Sequence, residues 1–205
     1  VQHPVNKGYS PSIITGRNQV KNQSGLLIKY VSEQIALEEQ LGALIDKQVT
    51  EIDPQAFPDA VKLLAKTKAV LEQHYLPLNE LLDQLEIEVS ERRKSFYREN
   101  GASLGTVKRD QSPLVSTFLK DDYSALNLIT ISNSLLHTIA LALGSTEVAT
   151  TALQHLENLA PLVVKIGELM PEVVTRELST QFSGVDSMSA GLALKNVQYA
   201  WKKAG

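Results

Sequence analysis

Glu72 and His74 stand two residues apart in LEQHYLPLNELLDQLE, residues 71–86. Helical proteins that hold two iron or manganese ions place Glu and His side chains on segments of this kind. Their ligand set is a Glu from each of two helices and a Glu-x-x-His pair from each of two more. The i, i+3 spacing puts both ligands of a pair on one helix face. This chain has four histidines, His3, His74, His137 and His155. None has an acidic residue three or four positions away on either side. Glu72 and Glu157 lie two residues from His74 and His155. Two steps turn a helix by about 200°, so these pairs face apart. The preferred reading is therefore metal-free, with no cofactor. The fallback is an iron or manganese protein drawing on Glu38, Glu72, His74, His137, His155 and Glu157 in an atypical arrangement.

Other chemistry finds little support. The absence of Cys excludes disulfides, thiolate metal sites and a Cys nucleophile within the chain. GASLG, residues 101–105, lacks the length and the following Lys of a phosphate loop. No nucleophile-elbow pattern occurs. A net charge of −3 points to no nucleic-acid partner. In ERRKSFYREN, residues 91–100, Glu91 and Glu99 dilute the basic character, as in a solvated helix end. Residues 123–146 are uncharged and long enough to span a bilayer. They carry Thr130, Asn133, His137 and Thr138, and a buried helix is expected there, with no membrane partner and a cytoplasmic location.

These side chains need elements to position them. In 205 residues, apolar types make up 43% and aromatics only 5%. That balance, dominated by Leu, Ile, Val and Ala, suits an all-α protein. The 3-4 spacing of apolar residues predicts helices over residues 25–47, 58–89, 123–143 and 146–170, and a last helix over 188–203. Pro77 and Pro161 fall inside two of them, and Pro171 marks the expected end of the fourth, with a short continuation through PEVVTREL, residues 171–178, as the alternative. Residues 12–17, SIITGR, read as a short strand and turn. Short, long and short links between four long helices are the connectivity of a ferritin-like four-helix bundle, with one long crossover between helices 2 and 3 and a C-terminal extra helix. HYLPLNELLDQLE and NLAPLVVKIGELM align on Pro77 and Pro161, a faint internal repeat. Gln34, His74, Asn133 and His155 fall on the four inward stripes, one per helix. They are read as a buried polar layer that fixes helix register; the alternative is that each satisfies itself locally.

The helices resemble small bacterial stress-associated ferritin-like proteins. LEEQL, residues 37–41, is similar to the first-helix "AEKQL"-type motif of that family, and HYLPLNELLDQLE to its second-helix "HL-ET-Q-RLE" type. LGSTEVATTAL, residues 143–153, and KIGELM, residues 165–170, match its later pieces, so the likeness covers residues 26–170. The resemblance implies a homo-oligomer, a dimer, or docking on a partner domain of the same protein. Carried over residue by residue, the family's metal ligands fall on Glu38, Pro77, Leu81, a position near Ile129, Leu159 and Val163. Only Glu38 is acidic, and a lone helical Glu is expected at the surface. SIITGRN, residues 12–18, resembles the closing strand of ThiJ/PfpI-like domains. This implies that residues 1–24 are a linker or tail of such a domain and residues 25–205 the helical one. The function so read is a non-catalytic, metal-free structural or interaction domain in a stress-related protein. The alternatives are the metal-binding protein above and an unrelated helical adaptor.

Overall fold

The computed structural model describes residues 14–88 and 114–204, with side chains over 23–87 and 114–203. Among the described residues there are five helices and no strand. They are α1 (Ile14–Glu51), α2 (Pro58–Glu88), α3 (Val115–Ala142), α4 (Thr146–Gln181) and α5 (Ser189–Ala204). α1 packs on α2 and α3, α4 packs on α2 and α3, and α5 rests on α4.

The stripes explain the packing. Leu37, Leu41 and Ile45 of α1 meet Leu64 and Leu71 of α2, Leu126 and Ile129 of α3, and Leu159 and Ile166 of α4 in one apolar cluster. Leu27 and Val31 meet Leu78 and Leu82, Leu136 and Ala140, and Val148 and Ala152 in a second. Each long helix supplies both clusters. α1 and α4 reach the first with their later turns, α2 and α3 with their earlier ones. So α1 and α4 run one way and α2 and α3 the other. Between the clusters, each of the four long helices carries a buried polar residue: Gln34 and Glu38 on α1, His74 on α2, Asn133 on α3, His155 on α4. Burial of the apolar residues drives association, at about 25 cal/mol per Å².

Several boundaries differ from the sequence expectation. Residues 14–17, expected as strand and turn, are helical, and α1 begins at Ile14 rather than near residue 25. Residues 12 and 13 lie outside the described residues. A lone strand has no ladder to join, whereas a helix already nucleated gains one hydrogen bond per added residue. Residues 14–24 form the first turns of α1, and Ser24 is buried. α3 starts at Val115, not near residue 123, because Val115, Phe118 and Leu119 extend its buried stripe. α4 does not stop at Pro171 but runs through it to Gln181. Three contacts hold that continuation. Val173 is buried. Arg176 donates to the Ala56 carbonyl and lies over the Phe57 ring. The Glu177 carboxylate accepts the backbone N–H of Ser116 at 3.0 Å, capping the start of α3, where Leu114 offers no side-chain cap.

α3 is the one helix among the described residues long and apolar enough to cross a membrane, by length and composition. Its inner stripe is packed in the core, while Leu128, Ile131 and Leu135 face outward.

The link from α3 to α4 is a Schellman turn: Ser145 N–H donates to Ala140 O at 2.8 Å and Gly144 N–H to Leu141 O at 3.1 Å. Gly144 takes φ +74°, and Gly42 sits within α1 with open space beside its Cα. Gly144→Ala is expected to lower stability by about 1 kcal/mol, because alanine is strained at positive φ. Gly42→Ala is expected to raise it by about 0.5–1 kcal/mol through helix propensity. Urea unfolding of both variants checks the opposite signs.

Candidate functional site

The polar layer is built around Glu38. Gln34 lies one turn before it on α1, and its Nε2 donates to Glu38 Oε1 at 2.7 Å. Across the α1–α2 contact, His74 Nδ1 lies 3.1 Å from Glu38 Oε2. A carboxylate only accepts, so Nδ1 carries the proton and Nε2 is left as an acceptor. Asn158 Nδ2 stands 3.3 Å from that Nε2 and donates to it. The repeat alignment pairs these same two positions, His74 with Asn158. Side chains near a twofold axis meet their own equivalents.

His155 of α4 lies flat against His74, ring centres 3.6 Å apart and planes within 6°. Its Nδ1 is 4.0 Å from Glu38 Oε1, too far for a hydrogen bond. Glu38, His74 and His155 are each no more than 4% exposed. Burial pushes the His155 imidazole down to about 3, and the neighbouring His74 adds to the shift. Asn133 turns back on its own helix, donating to Ile129 O at 3.1 Å. In these residues Gln34 Oε1, Asn133 Oδ1 and His155 Nδ1 are buried without a hydrogen-bond partner, as is Gln48 Oε1 farther along α1.

Of the four residues read from sequence as a polar layer, Gln34 and His74 are joined through Glu38, His155 stacks on His74, and Asn133 bonds to its own helix. Of the six fallback metal residues, three converge: one ligand atom each from Glu38, His74 and His155 lie within 4.8 Å of one another. The other three lie elsewhere. Glu72 pairs with Lys68 at the surface at 3.6 Å. Half-buried His137 donates from Nδ1 to Ala149 O at 2.7 Å, tying α3 to α4. Glu157 is exposed.

Two expectations are corrected here. Glu38, expected at the surface, is buried because Gln34 and His74 give it donors inside the core. The residue-by-residue carry-over put Pro77, Leu81, Leu159 and Val163 at its level. The structure puts His74 and His155 there instead, about one turn earlier in α2 and α4. Sequence reasoning also missed Asp122, which lies buried and accepts from Gln48 Nε2 at 2.9 Å, fixing α1 against α3. The signal was Gln48 itself, a polar residue on an apolar stripe.

The chemistry open to this arrangement is narrow. The cavity bordering Glu38, between α1 and α2, holds only about 90 Å³, well below the few hundred needed for a metabolite. A larger groove of about 520 Å³ lies apart from the layer, between α5 and the α3–α4 pair, walled by Tyr123, Val163, Val164, Leu194, Val197 and Trp201.

A folded-state pKa below the unfolded value of 6.5 means that the unfolded chain binds the His155 proton first. The stability contribution is full above pH 6.5 and is lost as pH falls toward 3, at a limiting slope of about 1.4 kcal/mol per pH unit. The urea midpoint is expected to drop between pH 7 and pH 5, and His155→Phe, which keeps the stack, is expected to flatten that drop. A midpoint equally pH-dependent in the variant would count against the assignment to His155.

Compared with family models, curated proteins and solved structures, the chain finds no match in any of the three.

Proposed function

We propose that this chain is a ferritin-like four-helix bundle, with α5 as an added helix, that serves as a non-catalytic structural or interaction domain without a dinuclear metal centre. The donor set carries this reading. A dinuclear carboxylate centre needs four carboxylates and two histidines. Among the described residues the buried carboxylates are Glu38, Asp122 and Glu177, and of these only Glu38 lies in the central layer. Leu71, Leu78, Ile129, Leu159 and Leu162 fill the core around it. The residues do not fit a pair of ions. The bundle reading is supported by the shared direction of α2 and α3, the relation that a ferritin-like crossover gives its second and third helices. An upstream ThiJ/PfpI-like domain in a cytoplasmic, stress-related protein belongs to the same proposal and rests on resemblance alone.

The interaction half of the proposal rests on the outer face of α3. Leu128, Ile131 and Leu135 lie on one side at helical spacing, with Ile131 63% exposed. An apolar stripe of this kind marks a contact surface, and a second copy of the chain is the partner that the family resemblance implies.

Two measurements test the proposal. Aerobic oxidation of Fe(II) should run no faster with the protein than in buffer, and two tightly held ions per chain would overturn the reading. Sedimentation at micromolar concentration should give a dimer that Ile131→Glu with Leu135→Glu converts to a monomer. A monomeric parent chain would remove the second copy as partner.

A further inference from the structure

A layer whose only task was to fix register would need no unpaired atoms. This one keeps Gln34 Oε1, Asn133 Oδ1 and His155 Nδ1 unpaired in residues no more than 2% exposed. Each such atom has lost its water without gaining a partner, which is unfavourable. The unpaired nitrogen belongs to a residue that stands with a carboxylate and a second imidazole inside 4.8 Å. We propose that Glu38, His74 and His155 form a mononuclear site for a divalent first-row transition ion of the zinc class. This goes beyond the preceding reading and does not depend on the family resemblance.

Two imidazoles and one carboxylate favour such an ion over magnesium or calcium, which take oxygen ligands. Three protein ligands from three helices leave a position open for water, the usual arrangement when the ligands are too few to close a tetrahedron. Gln34, which donates to Glu38, keeps its Oε1 unpaired beside the cluster, suited to accept a hydrogen bond from that water. The ring stack sets one condition. An imidazole lone pair lies in the ring plane, and an ion shared by two parallel rings would sit half of their 3.6 Å separation out of each. One ring must turn. His74 is placed by Glu38 at Nδ1 and Asn158 at Nε2. To ligate through Nδ1 it shifts its proton to Nε2, the Asn158 amide turns over to accept that proton through Oδ1, and the ion takes the proton's place between Nδ1 and Glu38. His155 Nδ1 breaks no hydrogen bond by moving, so His155 is the ring that turns. The small cavity between α1 and α2 gives a route inward. Glu38 borders it.

The test uses the full chain after removal of metal by a chelator. Titration with Zn(II), followed by dialysis and elemental analysis, is expected to leave one ion per chain and to raise the melting temperature. Co(II) in the same site is expected to give the visible absorption of a low-coordinate nitrogen–oxygen complex. His155→Phe and Glu38→Gln are each expected to weaken binding by roughly 100-fold or more, and His137→Gln to leave it unchanged. Should Glu38→Gln fail to fold, His155→Phe decides alone, since it preserves shape and stacking. A parent chain that retains no Zn(II), or His155→Phe binding as tightly as the parent, overturns the proposal and leaves the preceding reading standing. Two ions per chain with rapid iron oxidation would overturn that reading as well.

Discussion

A carboxylate buried in the middle of the core constrains everything around it. Glu38 cannot hold its charge there without donors, and the donors come from two helices: Gln34 one turn away on α1 and His74 on α2. Removing one partner of such a group leaves the other stranded, at a cost of a few kcal/mol. Replacing the whole set with apolar residues would cost little by the same reasoning. The layer therefore adds specificity more than stability. It divides the apolar core in two, and each helix must cross the division at its polar residue. Sliding any helix by one position would turn that residue through about 100° and set it against leucines.

The ends of the helices are secured by separate devices. Gln48 and Asp122 lock α1 to α3 some ten residues from the layer. Glu177 caps α3 from α4, and Arg176 reaches the α1–α2 turn. These contacts make the later part of α4 a brace for two other elements, which is why a proline did not end it. Pro171 removes one backbone donor, but the buried side chains beyond it restore more than that loss.

Much of this could be read from the order of residues, and the failures have physical causes. The inward stripes were legible because leucines spaced by 3 and 4 share one face of a helix, while in a strand they would fall on both faces. His74, Asn133 and His155 were legible as polar interruptions of those stripes. Glu38 was not, although 34, 38, 41, 45 and 48 follow the same spacing as the stripe itself. Charged residues lie at the surface so often that the default prevailed over the period. The residue-by-residue comparison then compounded the error, since a shift of one turn brings leucines where histidines stand. The start of α1 was missed because β-branched Ile14 and Thr15 read locally as strand. Helix propagation from Ser24 toward the N-terminus was the stronger influence.

The layer is also shared between the two halves of the chain. Gln34, Glu38 and His74 belong to the α1–α2 hairpin, and Asn133, His155 and Asn158 to the α3–α4 hairpin. Neither hairpin alone buries its polar residues correctly, and each exposes an apolar face matched only by the other. Two separately synthesised halves, divided anywhere in residues 89–113, would then recognise each other by the same chemistry that folds the intact chain. Covalent connection would set the local concentration of the halves, while the identity of the match would reside in the seam between them.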